Sequence, residues 1–375
     1  MHLNLKAVLA IFILFFFFAD DALAQRRRRG KYKRRRASSK RISKYKGGRV
    51  FGGAGRFRPY HYVGGGINAF NYFGDLAPVN RAASTDISFT RPGFAAIYGR
   101  RFHPVMAFRA AYNFGVLRGD DVASAPSDNQ ARSRYYRNLS FRSFIHEVSM
   151  GVEFHVLPNY RRPAQRPPFN GYIFLGIAGF HHNPQGKAPD FDYQVGSDTP
   201  LPAGLTPGEW VNLQELGTEG QFLNDPELRG EEYSKFQIAI PLGIGARIAF
   251  PGNNLNVGIE LGYRYVFTDY LDDVSTTFVN LDRFNDPVAR IFSDRGAEPI
   301  AAVTGEARNQ SILDQVIPVD FNGTTYNVPG QIRSNDQTAD APRGNPNDND
   351  MYFITQIRVT YILNGGGRRT FAKFR

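Results

Sequence analysis

The sequence predicts an all-β fold: an eight-stranded antiparallel transmembrane β-barrel with short periplasmic turns and long extracellular loops. Three observations carry that expectation. Apolar residues recur at every second position in runs of about 10 to 16 residues. Soluble strands usually run about five or six, whereas a tilted strand needs about nine to eleven to cross a bilayer. The apolar faces end in aromatics, at Phe250, Tyr265, Phe267 and Tyr361, in the manner of interfacial girdles. The connections also alternate strictly in length. HPV, YRRPAQRPPF and PGNN join strands at one end, and loops of about 18, 22, 50 and 79 residues join them at the other. A soluble sandwich has no reason to sort its loops in this way, and short turns opposite long loops put both termini in the periplasm.

The strands follow in order. Residues 59–73 and 92–102 supply the first two. In PVMAFRAAYNFGVL, Met106, Phe108, Ala110, Tyr112, Phe114 and Val116 share one face, with Arg109, Ala111, Asn113 and Gly115 on the other. The fourth strand, 141–156, sets Phe144, Val148, Met150, Val152 and Phe154 outside and Glu147, Ser149, Gly151 and Glu153 inside. The fifth is 170–181. The second and fifth runs are mixed, so their faces stay unassigned. KFQIAIPLGIGARIAF alternates Ile238, Ile240, Leu242, Ile244 and Ile248 against Gln237, Gly243, Gly245 and Arg247. NLNVGIELGYRYVF sets Val257, Ile259, Leu261, Tyr263 and Tyr265 against Asn256, Gly258, Glu260, Gly262 and Arg264. MYFITQIRVTYIL closes the set, with Phe353, Ile357, Val359, Tyr361 and Leu363 against Gln356, Arg358 and Thr360.

An eight-stranded barrel is just wide enough for its interior to be filled by side chains, and an aqueous pore needs about 16 strands. Arg109, Arg247, Arg264 and Arg358 face Glu147, Glu153 and Glu260 across that interior. An unpaired buried charge is costly, so these seven residues are expected to form a lumen salt-bridge network. Function should then lie in the loops, the rim or the tail.

The chain begins with a weakly basic start, an apolar run from Ala7 to Ala19, and the small-x-small site Ala22-Leu23-Ala24. Residues 1–24 therefore read as a signal peptide cleaved before Gln25, since the run is shorter than the about 20 residues of a spanning helix. No later stretch is apolar enough for one. No Cys follows the run, which excludes a lipoprotein anchor, and the absence of Cys throughout excludes disulfides and thiolate sites.

Residues 25–58 form a basic segment with Arg26, Arg27, Arg28, Arg29, Lys31, Lys33, Arg34, Arg35 and Arg36 at its head. Alone it resembles a nucleic-acid arm, but an exported chain meets no cytoplasmic nucleic acid. Residues 26–58 hold 16 Lys and Arg and no acid, while 59–375 hold 29 basic against 32 acidic residues. The formal net charge of +12 thus belongs to one segment, which has too few apolar residues to form a core and is expected to be disordered. Its accessible partners are acidic protein surfaces, the cell wall and outer-membrane lipid phosphates, where each basic residue contributes roughly 1 kcal/mol. The barrel is expected to span 59–364, followed by a short periplasmic tail at 365–375.

Nothing points to catalysis or a cofactor. His2, His61, His103, His146, His155, His181 and His182 form no nucleophile constellation, and adjacent His181 and His182 point to opposite faces of a strand, which argues against a shared metal. The acidic stretch TDYLDDVS, Thr268 to Ser275, offers carboxylate oxygens of the kind Ca²⁺ takes; a solvated, strand-terminating turn is the favoured reading. Trp210, in the 182–232 loop, is placed to anchor that loop on the rim. The 271–349 loop is rich in Asn, Asp, Pro and Gly and long enough to be functional or mobile.

Seven stretches, in order, resemble a known family: INAFNYFGDLAP (67–78), RPGFAAIYGRRF (91–102), MAFRAAYNFGVLRGDD (106–121), RNLSFRSFIHEVSMGVEF (137–154), YIFLGIAGFHHNPQGK (172–187), LQELGTEGQ (213–221) and TDYLDDVSTTFV (268–279). Together they are similar to the PorG-like outer-membrane β-barrels of Bacteroidota. The family motif residues are Asn71, Tyr72, Phe73, Gly74, Asp75, Leu76, Asn138, Leu139, Ser140, Phe141, Arg142, Thr268, Asp269, Tyr270, Leu271, Asp272 and Asp273. The resemblance implies a non-enzymatic part of the type IX secretion and gliding machinery that docks or anchors the periplasmic PorK/PorN ring at the outer membrane. The residues alone leave open a surface-binding or adhesion barrel acting through its long loops, and a lipid-modifying enzyme as a third reading.

Overall fold

A computed structural model describes residues 57–76, 90–124, 132–159, 163, 166–223, 228, 230–250, 253–330 and 341–363. The chain divides into two units, 1–53 and 54–375, and every described residue lies in the second. The expected signal peptide, the basic segment apart from Phe57 and Arg58, and the C-terminal tail at 365–375 lie outside the described residues.

Strand formation follows the alternation. In chain order the strands are β1 (Tyr60–Phe73), β2 (Arg91–His103), β3 (Met106–Asp120), β4 (Ser140–His155), β5 (Phe169–His181), β6 (Pro184–Lys187), β7 (Trp210–Asn212), β8 (Phe236–Ala249), β9 (Leu255–Val266), β10 (Val316–Phe321), β11 (Thr324–Pro329) and β12 (Met351–Ile362). Eight of them, β1 to β5 with β8, β9 and β12, pair antiparallel in chain order, and β12 pairs back to β1 to close the barrel. The others belong to the loops. The β2–β3 turn carries a register shift between Arg101 and His103.

The outer wall is apolar on every barrel strand. Ile67 is 73% exposed, Phe236 74% and Ile244 58%, and Phe94, Met150, Ile177, Ile259 and Ile357 are also exposed. So continuous an apolar belt is unsustainable in water and matches the lipid-facing band of a membrane barrel. Among the described residues no helix is long and apolar enough to span a membrane; the strands are what cross it.

The two mixed strands acquire faces for a physical reason. The lumen holds aromatic rings as well as charges, so β5 is apolar on both sides: Tyr172 and Phe174 are buried inside while Ile173 and Ile177 face out. Inward glycines make room for these rings. A Cβ on Gly115 would run into the Phe70 ring, on Gly99 into Tyr62, and on Gly245 into Tyr172.

At the long-loop end the chain folds into a crown. Leu76, Leu139, Leu213, Leu271, Val274 and Phe292 share one core with the barrel residues Phe70, Tyr72, Phe141 and Ile145. A hairpin of β10 and β11 packs Val319, Phe321 and Val328 against Leu281 in a separate core. Strands β6 and β7 extend the sheet over the end of β4. There the Arg142 guanidinium carbon lies 3.8 Å from the centre of the Trp210 ring, so Trp210 fastens its loop to the rim by a cation–π contact.

Candidate functional site

In the lumen, Glu153 and Glu260 sit between two arginines. Arg109 Nη1 lies 2.5 Å from Glu260 and 3.3 Å from Glu153. Arg358 Nη1 lies 3.0 Å from Glu153 and 3.3 Å from Glu260. The Tyr62 and Tyr172 hydroxyls donate to Glu153 at 3.1 Å and Glu260 at 2.7 Å, and Arg109 stacks over Phe174 at 4.0 Å. One layer nearer the loops, Glu147 accepts from Arg264 Nε at 3.0 Å, Tyr352 at 2.8 Å and Asn113 at 2.6 Å. Asn113, Asn68 and Gln356 continue the chain of hydrogen bonds across the barrel. Each carboxylate thus meets positive charge and neutral donors, the condition under which a buried ion pair is tolerated.

Arg247, expected in the same network, stands outside it. It is 7% exposed, its Nε has no hydrogen-bond partner, and no ion pair joins it to an acid among the described residues. Its cross-strand neighbours are Asn170 and Gly258, and the nearest acid along β9, Glu260, is already held by two arginines.

Two arginines lie at the short-turn end of the barrel. Arg166, in the β4–β5 turn, donates to the Asn256 side chain at 2.7 Å and to the Leu255 and Asn253 carbonyls at 2.6 and 2.8 Å. Arg101 donates to the Pro104 carbonyl. A void of about 10 Å³ beside Arg109, Phe174 and Pro241 has room for roughly one water. Among the described residues, Arg109, Glu147, Glu153, Glu260, Arg264 and Arg358, with Tyr62, Tyr172, Phe174 and Tyr352, are buried in this interior.

The three blocks of motif residues, far apart in sequence, meet at the loop-bearing rim. The Tyr72 hydroxyl lies 2.6 Å from Asp272 and 2.7 Å from Asp350, which belong to opposite ends of the longest loop. The remaining oxygens of both acids accept backbone N–H groups, from Val274 at 3.0 Å and Leu271 at 2.8 Å. A phenol has one hydrogen to donate, so one carboxyl must carry a proton for both contacts to be attractive. Burial holds both acids well above the usual carboxylate range, and neighbouring charge, from Asp75 on Asp272 and from Asp272 on Asp350, adds to it. Gly74 leaves the space here, since a Cβ would meet the Asp350 and Tyr72 side chains.

The rest of the rim is braced by buried arginines. Arg137 pairs with both oxygens of Asp121 at 2.8 Å and donates to the Asp75 carbonyl at 2.9 Å and to the Arg343 carbonyl. Arg343 reaches Glu219 at 3.0 Å and the Asp273 carbonyl at 2.6 Å. Glu219 in turn accepts from the Ser275 and Thr276 backbone and from the Thr276 hydroxyl. Asp273, in the left-handed region at φ 68°, accepts from Thr218 at 2.5 Å and Tyr233 at 2.7 Å; burial lifts its carboxyl to about 6 against the pull of Arg343. Asn138, at φ 58°, donates to the Arg295 and Ile300 carbonyls and accepts from Ala302 N–H.

The other motif residues take structural positions. Asn71 donates to Thr90 at 2.7 Å, Phe73 meets Phe353 edge-on, and Asp75 accepts from Asn345 N–H at 2.7 Å. Leu76, Leu139, Phe141 and Leu271 are core, Ser140 is buried, and Arg142 covers Trp210. Thr268 accepts from Tyr270 N–H at 3.1 Å, and Tyr270 stacks on Tyr233.

TDYLDDVS is therefore not a solvated turn. Asp272 and Asp273 are 1% and 0% exposed, because partners arrive from Tyr72, Thr218, Tyr233 and Asp350. Nor is 271–349 an open loop over its described residues, since Leu271, Val274, Phe278, Leu281 and Phe292 are buried. Among the described residues no three His, Asp or Glu side chains are grouped to hold a metal. His181 lies beside Phe236 on the outer side, whereas His182 is buried against Tyr233 with its Nε2 at 3.1 Å from the Ser234 carbonyl. The two rings do not converge.

Comparison with known proteins adds a partial family match. The family model described as Domain of unknown function (DUF6089) matches residues 59–197, less than half of the chain. No curated protein matches. Similar solved structures include Neisserial surface protein A, with 8% identity over 80% of this chain and 96% of that chain, TM-score 0.29. The Ail attachment invasion locus protein of Yersinia pestis, solved with the heparin analogue sucrose octasulfate, has 7% identity over 81% and 97%, TM-score 0.28. A major outer membrane protein from Thermus thermophilus has 10% identity over 82% and 100%, TM-score 0.30. The barrel itself rests on its own strand pairing.

Proposed function

We propose that this chain is a non-enzymatic outer-membrane barrel that works as an assembly platform rather than as a pore. The observation that supports this best is the filled lumen: Glu147, Glu153 and Glu260 are each neutralised in place, and Arg166 covers the short-turn end. In this reading a lumen crossed by these paired charges is a plug, and the working surfaces are the two ends. In this reading the short turns and both termini face the periplasm. The ordered motif resemblance supports the finer assignment, a PorG-like component of the type IX secretion machinery whose periplasmic side docks a PorK/PorN-like ring.

The test is co-purification. A tagged full-length barrel, solubilised from native outer membranes in mild detergent, is expected to bring the ring subunits with it. A barrel that is folded by its unheated gel mobility but carries none of them overturns the assignment. A second reading, surface binding through the long loops, is favoured by one specific observation, the buried arginine bracing that makes the crown a fixed surface. It predicts that loss of the crown abolishes adhesion while cargo secretion continues.

A further inference from the structure

At the short-turn end of the lumen the charges do not balance. Arg101 on β2, Arg247 on β8 and Arg166 in the β4–β5 turn are 0%, 7% and 7% exposed. None of them pairs with an acid among the described residues. The cause is in the sequence. The stretches that build this end, 57–62, 99–107, 154–172, 246–256 and 359–363, contain no Asp or Glu. Further in, Glu153 and Glu260 are each already held between Arg109 and Arg358.

The three guanidinium groups differ in what their nitrogens do. Arg166 spends all of its nitrogens on the Asn256 side chain and on the Pro163, Asn253 and Leu255 carbonyls. Arg101 donates to the Pro104 carbonyl, and its other nitrogens are sealed from solvent beside Tyr60. Arg247 makes no hydrogen bond among the described residues. Its Nε is sealed from solvent, so the two terminal nitrogens are the ones left open. His155 is not a free donor here, since its Nε2 faces Glu153 at 3.4 Å.

Arg101 and Arg166 lie close enough to Arg247 to repel it. A buried cation among like charges, without an acid, is a costly arrangement, and it is relieved by an anion at the open nitrogens. A guanidinium meets carboxylate and phosphate oxygens two at a time. Three unbalanced positive charges exceed what one carboxylate offsets, and they suit the roughly −1.5 to −2 charge of a phosphate monoester.

We infer that the short-turn mouth of the barrel binds a phosphate group, held two-pronged by the terminal nitrogens of Arg247, with Arg101 and Arg166 as the surrounding positive field. The group comes from a free phosphate or from a lipid headgroup at the adjacent membrane surface. The inference stands whether or not a ring docks at this end.

The experiment is titration calorimetry of the full-length, folded barrel in a phosphate-free maltoside detergent at neutral pH and fixed ionic strength. The probes are inorganic phosphate and dihexanoyl phosphatidic acid. At least one is expected to bind. Heat from inorganic phosphate identifies the free ion as sufficient, and heat from the lipid alone identifies a headgroup as the ligand. Arg247→Met is expected to weaken binding about ten-fold or more, a loss of about 1.4 kcal/mol. Arg247→Lys, which keeps the charge without the two-pronged contact, is expected to weaken it less, and it serves should the Met variant not fold. Arg100→Gln, the same change of charge at an exposed position next to Arg101, is expected to leave the affinity unchanged. Urea unfolding adds a second readout: the bound probe should raise the midpoint of the parent but not that of Arg247→Met. Absence of heat from both probes at millimolar concentration overturns the inference. So does unchanged affinity in folded Arg247 variants, or an equal loss in Arg100→Gln, which would mean attraction by net charge alone.

Discussion

Tyr72, at the end of β1, and Asp350, 278 residues later, meet at 2.7 Å, and the same hydroxyl also faces Asp272 at 2.6 Å. One hydrogen cannot serve two carboxylates, so the junction holds a second proton on one acid. The far ends of the longest loop are thereby tied to the first strand of the barrel.

The pH dependence of that tie has a definite sign. Both carboxyls are raised by burial in the folded protein, so the folded state holds protons that the unfolded state releases. Their contribution is fully present below the ordinary carboxylate range, about 4. It is lost progressively as the pH rises through the raised folded values. Asp350→Asn supplies a permanent donor toward Tyr72 while its amide oxygen still accepts from Leu271 N–H. The variant is expected to lie within about 1 kcal/mol of the parent and to lose most of this slope, whereas Tyr72→Phe should cost about 1–3 kcal/mol. Hydrogen exchange at Leu271 and Val274 between pH 5 and 9 checks both.

Arg137→Met removes the cation paired with a fully buried Asp121 and leaves it the Leu139 N–H among its donors. Breaking a buried ion pair by removing one side costs about 3–5 kcal/mol, and here the cost falls on the crown. Limited proteolysis is expected to cut the long loops of this variant while the barrel keeps its unheated gel mobility. Resistance equal to the parent would show that the brace is dispensable.

Within the lumen, Glu147→Ala leaves Arg264, Tyr352 and Asn113 without their shared acceptor and is expected to destabilise the barrel by about 3–5 kcal/mol in urea unfolding from lipid vesicles. Combining it with Arg264→Met should recover a substantial part of that loss, because no charge is then stranded. Strict additivity of the two changes would contradict the pairing.

On the outer wall, Ile244 lies midway along β8 and is 58% exposed. Ile244→Arg is expected to cost about 2–4 kcal/mol, the penalty for a charge at the bilayer midplane, while Ile244→Leu is neutral. Equal stability of the two variants in vesicles would mean that the belt does not face lipid.

How far the sequence could be read depended on the range of the interactions. The eight strands and their lumen charges were legible because alternation is a local pattern: Glu147, Glu153, Glu260 and their arginines each sit two residues from the next inward position. Faces on β2 and β5 were not, since Tyr172 and Phe174 are as apolar as the lipid-facing Ile173, and only the glycines opposite them mark the inside. The rim was least legible. TDYLDDVS looks like a solvated turn because nothing within it announces Tyr72, Thr218, Tyr233, Arg343 or Asp350, all distant in sequence. Arg343 carries no local signal at all, yet it ties Glu219 to Asp273.

The claim that the lumen is a plug, on which the platform reading rests, is tested most directly by planar-bilayer recording from the purified, folded wild-type barrel. The expected result is no discrete ion conductance from the wild type, with steps appearing in an Arg109→Ala, Arg358→Ala double variant that opens the ring around Glu153 and Glu260. A steady, reproducible conductance from the wild-type barrel would contradict the account.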